Sequence, residues 1–287
     1  MRLIIVSGLS GSGKSVALHA LEDLGFYCID NIPAALLSAL ISEISNAGEH
    51  AVENVGVGLD ARNRSEDLDK IPEIVRELRS QGIACEIIFL QAGDDVLLTR
   101  FSDTRRRHPL TTEDRSLPEA ITRERTLLGP LIRAAELVID TTATSVYDLR
   151  ELIRERVGER EPHSLSILIE SFGYKHGLPA DADFVFDVRC LPNPYWEPNL
   201  RPLCGTDEPV RAFLGSQPAV SAMIDDICSY LESWIPHYQG FQRSYLTIAI
   251  GCTGGQHRSV YITEAVAKRL TKTFGPIKTR HHELPRV

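Results

Sequence analysis

The chain has 287 residues, 43% of them hydrophobic, and a formal net charge of -8. That length suits two globular domains, and the acidic balance excludes a surface that binds nucleic acid all over. No apolar run reaches the roughly 18 residues a membrane span needs, and the opening "MRLIIVSGLSGSGKS" passes from an apolar stretch straight into a glycine-rich loop without a cleavage site. A soluble, unsecreted, cytoplasmic protein with no membrane partner is therefore expected.

Strand-length apolar runs alternate with helix-period segments through the first half. Strands are expected at 2–7, 26–30, 55–60, 84–91 and 136–140, and helices at about 14–24, 33–45, 67–80, 93–103 and 145–157. This alternation predicts a parallel sheet with helices on both faces. The polar "VGEREPHS" at 157–164 reads as a linker, giving domains at 1–157 and 163–287. Beyond it, strands are expected at 165–172, 183–189 and 244–251, and helices near 208–214, 218–235 and 258–273. They form a second, smaller α/β unit. The Pro-rich "LPNPYWEPNLRPLCG" at 191–205 can be neither regular helix nor central strand, so it is a long loop. The six cysteines, at 28, 85, 190, 204, 228 and 252, contain no C-x-x-C pair and fit reduced thiols.

Gly8-Leu9-Ser10-Gly11-Ser12-Gly13-Lys14-Ser15 matches G-x-x-x-x-G-K-[ST] between a predicted strand and a predicted helix. The glycines let successive N–H groups and the helix N-terminus converge on a nucleotide phosphate. Lys14 neutralises phosphate charge, and the Ser15 hydroxyl is the expected Mg²⁺ ligand. An acid on the Mg²⁺ side should end a neighbouring strand, and both Asp30 and Asp60 fit; Lys14 and Asp30 are the expected catalytic pair. Gln91 stands where many P-loop proteins place that acid. "RFSDTRRRHPL" at 100–110 carries Arg100, Arg105, Arg106 and Arg107, where small P-loop kinases keep a lid, so a P-loop small-molecule kinase is the alternative reading.

Near the other end, Cys252 and Arg258 enclose "TGGQH" and reproduce the C-x5-R spacing of tyrosine-phosphatase phosphate loops. Gly251 precedes Cys252 where those enzymes have His, and no general-acid loop is identified, so anion binding is expected and phosphatase catalysis is not. Thr253, Gly254, Gly255, His257 and Arg258 supply the anion-binding half. His176 and Asp187, at other strand ends, are the candidates to complete the ligand set. "HHE" at 281–283 lacks a third spaced metal ligand.

Taken in order, "GLSGSGKS", "FYCIDNIP", "GLDARNR", "TRRRHPL", "VIDTT", "ESFGYKHGLP", "DVRCLPNPYW" and "GCTGGQHRSVYI" resemble, end to end, the RapZ family of nucleotide-binding RNase adapter proteins. The resemblance implies an N-terminal P-loop NTPase domain with a kinase-like sheet that binds and hydrolyses ATP and GTP. Residues 8–15 would form the ATP loop, and Asp60, Ala61, Arg62 and Asn63 the segment assigned to GTP. It further implies a C-terminal half that binds small regulatory RNA, guides an endoribonuclease and senses glucosamine-6-phosphate, a phosphorylated amino sugar suited to Cys252–Arg258, and a homo-oligomeric assembly. The family's RNA-contacting element is a basic tail, matched here in part by Lys268, Arg269, Lys272, Lys278 and Arg280. Arg286 adds to that charge, which only Glu283 opposes.

Overall fold

The computed structural model describes residues 1–45, 52–158, 165–240 and 244–284. The chain divides into two compact units, Met1–Pro162 and His163–Val287. Most of the expected linker (159–164) and Arg286 lie outside the described residues.

In the first unit a five-stranded sheet has the order β2-β3-β1-β4-β5. Its strands are β1 (Arg2–Gly8), β2 (Tyr27–Ile29), β3 (Asn54–Gly58), β4 (Ala84–Gln91) and β5 (Leu137–Asp140), and every pairing is parallel. Strand β1 is buried along its whole length, which is why it reads as an unbroken apolar run. The chain builds outward from β1 to β2 and β3 on one side and to β4 and β5 on the other, so β1 ends at the topological switch point where α/β sheets place ligands. Helices α1 (Lys14–Asp23), α2 (Leu37–Ser45), α3 (Ser65–Leu68), α4 (Ile71–Ser80), α5 (Asp94–Thr104), α6 (Leu117–Leu127), α7 (Gly129–Ala134) and α8 (Val146–Val157) complete the unit. The single helix expected at 67–80 is two, separated at Asp69 and Lys70, with a proline in the first turn of α4.

Helices α6 and α7 fall in a stretch without a sequence assignment. A signal was present: the Ser116 hydroxyl and the Glu119 carboxylate form a reciprocal capping box at the start of α6, which Ser-Leu-Pro-Glu spells at the correct spacing.

In the second unit a four-stranded parallel sheet has the order β7-β8-β6-β9, from β6 (Ser166–Gly173), β7 (Phe184–Asp187), β8 (Tyr245–Cys252) and β9 (Lys278–His281). Helices α9 (Glu208–Gly215), α10 (Pro218–Gly240) and α11 (Arg258–Phe274) accompany it. Strand β9 is the unexpected element: the residues read as part of a basic tail pair with β6 at the sheet edge, Leu168 opposite Lys278 and Ser171 opposite His281. His281 locks that register, its Nδ1 2.8 Å from the Ser171 hydroxyl and its Nε2 3.1 Å from Glu264 Oε1 on α11.

Candidate functional site

The loop between β1 and α1 turns at Gly11 (φ 87°) and Gly13 (φ 106°), a left-handed region that side chains rarely enter. A Cβ on Gly13 would also stand 2.6 Å from the Leu149 side chain. Two carbonyls of the loop are pinned on one side. Gly11 O accepts from Arg100 Nη1 at 3.0 Å, and Ser12 O accepts from the Thr141 hydroxyl at 2.9 Å. Because a trans peptide points its N–H opposite its C=O, anchoring the Ser12 carbonyl turns the Gly13 N–H the other way. Among the described residues, the N–H groups of Gly11, Gly13, Lys14 and Ser15 have no acceptor within the protein, whereas those of Leu9 and Ser12 bond to Leu90 O and Leu9 O. A row of convergent donors at a helix N-terminus is an anion site.

Lys14 Nζ lies 2.6 Å from Asp30 Oδ1 and 3.7 Å from Asp60 Oδ2. Asp30 follows β2 and is half exposed; Asp60 follows β3 and is 4% exposed. Since β3 lies directly beside β1, Asp60 stands next to the phosphate loop, but Arg62 occupies its carboxylate, whereas among the described residues Asp30 pairs with Lys14 alone. Gln91 ends β4, on the other side of β1. Arg62 reaches Asp60 through Nη2 (2.5 Å), Nε (2.9 Å) and its backbone N–H (3.0 Å). The Asn31 amide, with its nitrogen toward Asp60, approaches both carboxylate oxygens at 3.1 and 3.0 Å. Burial pushes the Asp60 carboxyl up, but the Arg62 hydrogen bonds and the charges of Lys14 and Arg62 outweigh it and hold it below the usual carboxylate range. Ala61 is buried against the core. Asn63 accepts the Ala34 N–H at 2.5 Å and donates to Ile32 O and Asp60 O, so it braces this turn.

A depressed carboxyl contributes stability above its unfolded pKa and loses it as the pH falls through the folded value. Wild type should therefore lose stability below about pH 5 more steeply than Asp60→Asn, as read from thermal unfolding across pH 3 to 7. Parallel acid limbs in the two proteins would contradict the assignment.

Residues outside the loop motif also shape it. Glu124, fully buried on α6, accepts the Ser10 N–H at 2.9 Å and the Ser10 hydroxyl at 2.7 Å. His108 Nδ1 accepts the Leu110 N–H, which places the ring proton on Nε2, 3.1 Å from Glu124 Oε2. Of the arginine-rich run, Arg100 belongs to α5 and anchors the loop and Thr141. Arg105 caps α5 in a left-handed conformation, and Arg107 holds the Thr111 hydroxyl and carbonyl.

The turn after β8 repeats the pattern. Thr253 O accepts from Lys175 N–H, Gln256 O from Gly205 N–H and His257 O from Tyr261 N–H. These bonds direct the N–H groups of Gly254, His257 and Arg258 to the opposite side, and none of the three has an acceptor within the described residues. Gly255 (φ 73°) donates to Cys252 Sγ at 3.2 Å, and the Ser259 hydroxyl lies 3.2 Å from the same sulfur. Arg258 is buried. Its Nη1 donates to Arg189 O at 2.7 Å and Leu191 O at 3.0 Å, and its Nη2 approaches the Thr253 hydroxyl at 3.4 Å, so the guanidinium chiefly ties the turn to the Pro-rich loop. Asp187 is chelated by Arg189, whose guanidinium stacks 3.9 Å above the Tyr174 ring. The Arg189 hydrogen bonds hold the Asp187 carboxyl low against a smaller effect of desolvation. His176 is exposed just past β6. Glu283, the acid of the "HHE" run, accepts the Gly173 N–H at 3.1 Å and sits against the Gly255 backbone.

The basic residues near the C-terminus are ordered elements. Lys268, Arg269 and Lys272 are on α11, with Lys268 and Lys272 one turn apart on one side and Arg269 paired with Asp225 of α10. Lys278 and Arg280 alternate on β9. No group of three or more His, Cys, Asp or Glu among the described residues forms a metal site, and no described helix is long and apolar enough to cross a membrane.

Two family models account for the chain: a RapZ-like N-terminal domain over residues 1–161 and a RapZ C-terminal domain over 165–285. Relatives called nucleotide-binding protein are 54% identical in Alkalilimnicola ehrlichii, covering 100% of this chain and 99% of the relative, and 54% identical in Halorhodospira halophila, covering 99% of each. The shikimate kinase structure from Bacteroides thetaiotaomicron aligns with 53% of this chain and 94% of its own at 17% identity and a TM-score of 0.35, too low to carry functional meaning.

Proposed function

The chain belongs to the RapZ family, and on that premise we propose that it binds a purine nucleoside triphosphate with Mg²⁺ on the 8–15 loop and hydrolyses it slowly. The observation that carries this reading is the set of unpartnered N–H groups at Gly11, Gly13, Lys14 and Ser15, with the Lys14 ammonium beside them. The donor set suits Mg²⁺ brought by the nucleotide, because that ion takes one or two protein oxygens plus phosphate oxygens and water. Ser15 and Asp30 would hold it, and it would neutralise phosphate charge. Lys14 then contacts phosphate oxygens and Asp30 faces the ion. Both ATP and GTP are proposed as substrates.

The second unit is proposed to bind a phosphorylated amino sugar such as glucosamine-6-phosphate at Cys252–Arg258, and small regulatory RNA through Lys268, Lys272, Lys278 and Arg280, so that the protein acts as a homo-oligomeric adapter for an endoribonuclease. The exposed Lys268 and Lys272 on α11 and Lys278 on β9, with the half-buried Arg280 beside them, support the RNA reading, since phosphate contacts supply most of the affinity. Replacing those four residues with Ala should weaken RNA binding at least tenfold in a shift assay at moderate salt and flatten its salt dependence. Unchanged binding and salt slope would reject this surface. The kinase alternative rests on the arginine-rich run, and hydrolysis that no small acceptor stimulates would count against it.

A further inference from the structure

We propose that ATP and GTP share one site, with the base in a cavity beside the 8–15 loop, and that residues 60–63 serve the phosphate end of that site and form no separate guanine site. The inference rests on the nucleotide-binding reading and deepens it. Three observations support it.

First, Lys14 of the loop lies within 3.7 Å of Asp60 and 2.6 Å of Asp30, so the 60–63 turn and the loop border the same charge. Two polyphosphates cannot both approach one ammonium at that distance without strong mutual repulsion.

Second, the side chains of the 60–63 turn are already engaged. Asn63 uses its carbonyl on the Ala34 N–H and its amide nitrogen on two carbonyls, and Arg62 chelates Asp60. Reading guanine requires acceptors for its N1–H and N2–H2, or donors for its O6. Asn63 has both amide N–H groups committed and the one carboxylate of the turn, Asp60, is taken by Arg62, so the turn offers no free carboxylate for the N1–H and N2–H2 of guanine.

Third, on the other flank of the loop lies a cavity of about 470 Å³ bordered by Gly11–Gly13, by Val16, Phe101, Val146 and Leu149, and by the 141–145 turn. Its apolar walls and its contact with the phosphate loop suit a flat purine. Its polar side chains include the hydroxyls of Thr104, Thr141, Thr144 and Ser145, which donate or accept to suit either base, and the guanidinium groups of Arg100 and Arg106; no carboxylate or amide side chain lines it to select the N1–H and N2–H2 of guanine. A pocket with no group dedicated to one base discriminates weakly, whereas one built to hydrogen-bond a particular group discriminates by orders of magnitude. Dissociation constants for ATP and GTP should accordingly agree within about tenfold.

The test is displacement of fluorescent N-methylanthraniloyl-ATP from the full chain with Mg²⁺, together with the stoichiometry of unlabelled ATP and GTP by calorimetry. One equivalent in total, and complete displacement by either nucleotide, is expected. Val16→Trp, which fills the cavity, should weaken ATP and GTP alike by tenfold or more. Val146→Asp, which adds an acceptor at its mouth, should move the affinity ratio toward GTP. Asn63→Ala should leave that ratio unchanged. GTP binding beside saturating ATP, two equivalents per chain, or selective loss of GTP in Asn63→Ala would overturn the single site while nucleotide binding stood. Failure of either nucleotide to bind the wild-type chain would overturn the underlying reading and this inference together.

Discussion

Lys14→Ala should lower nucleotide affinity by a hundredfold or more while the protein stays folded. The ammonium is the only cation within ion-pair reach of Asp30 among the described residues, and with Arg62 it is one of two at Asp60. Its removal leaves two carboxylates facing the approaching polyphosphate, adding repulsion to the loss of an attractive contact. A tenfold loss corresponds to about 1.4 kcal/mol, and a charge-assisted contact of this kind supplies roughly 1.5–3 kcal/mol, so contact and repulsion together account for the size. The fold should tolerate the change, because Lys14 is partly exposed and Asp60 keeps Arg62 and Asn31. Calorimetric titration of Mg-ATP into both proteins, with thermal unfolding as the control, measures this. Equal affinities would remove Lys14 from the phosphate site.

The second large effect is expected at a residue outside any motif. Glu124→Ala should destabilise the first unit by about 3 kcal/mol, because it strips the acceptor from the Ser10 N–H, the Ser10 hydroxyl and His108 Nε2 and leaves a hole under α6. Glu124 and His108 have no side-chain exposure, so water does not replace the lost partner at little cost. Glu124→Gln keeps the shape and one acceptor oxygen but turns a second donor toward donors, so its loss should be smaller. Denaturant melts of the two variants give the ordering, and an unfolding midpoint for Glu124→Ala equal to wild type would refute the role. The loop would feel the change too: Ser10 would no longer be fixed, and nucleotide affinity should fall in the same order.

Much of this architecture could be read from the chain, and the family resemblance agreed with the family models. The glycine spacing at 8–15 carries its geometry in itself, since Gly11 and Gly13 occupy left-handed conformations that other residues resist. The long apolar runs of β1, β4, β6 and β8 announced buried parallel strands. Strand order is another matter. Local periodicity does not reveal that β3 flanks β1, and without that fact Asp30, Asp60 and Gln91 could not be told apart. Strand β9 escaped because "KTRH" has no apolar alternation; it is an edge strand held by side-chain bonds such as Ser171 to His281. The spacing of Cys252 and Arg258 likewise says nothing of the acceptors Arg258 finds, which are carbonyls of Arg189 and Leu191 nearly seventy residues away. Glu124 and His108 were invisible for the same reason: a buried pair formed across a fold has no signature in sequence.

The most direct examination of the central claim is a two-dimensional amide NMR titration of ¹⁵N-labelled protein with a non-hydrolysable Mg-ATP analogue. The account predicts large shifts at the amides of Gly11, Gly13, Lys14 and Ser15 at saturation. Amide signals at those four positions that stay in place while the analogue is bound would contradict it.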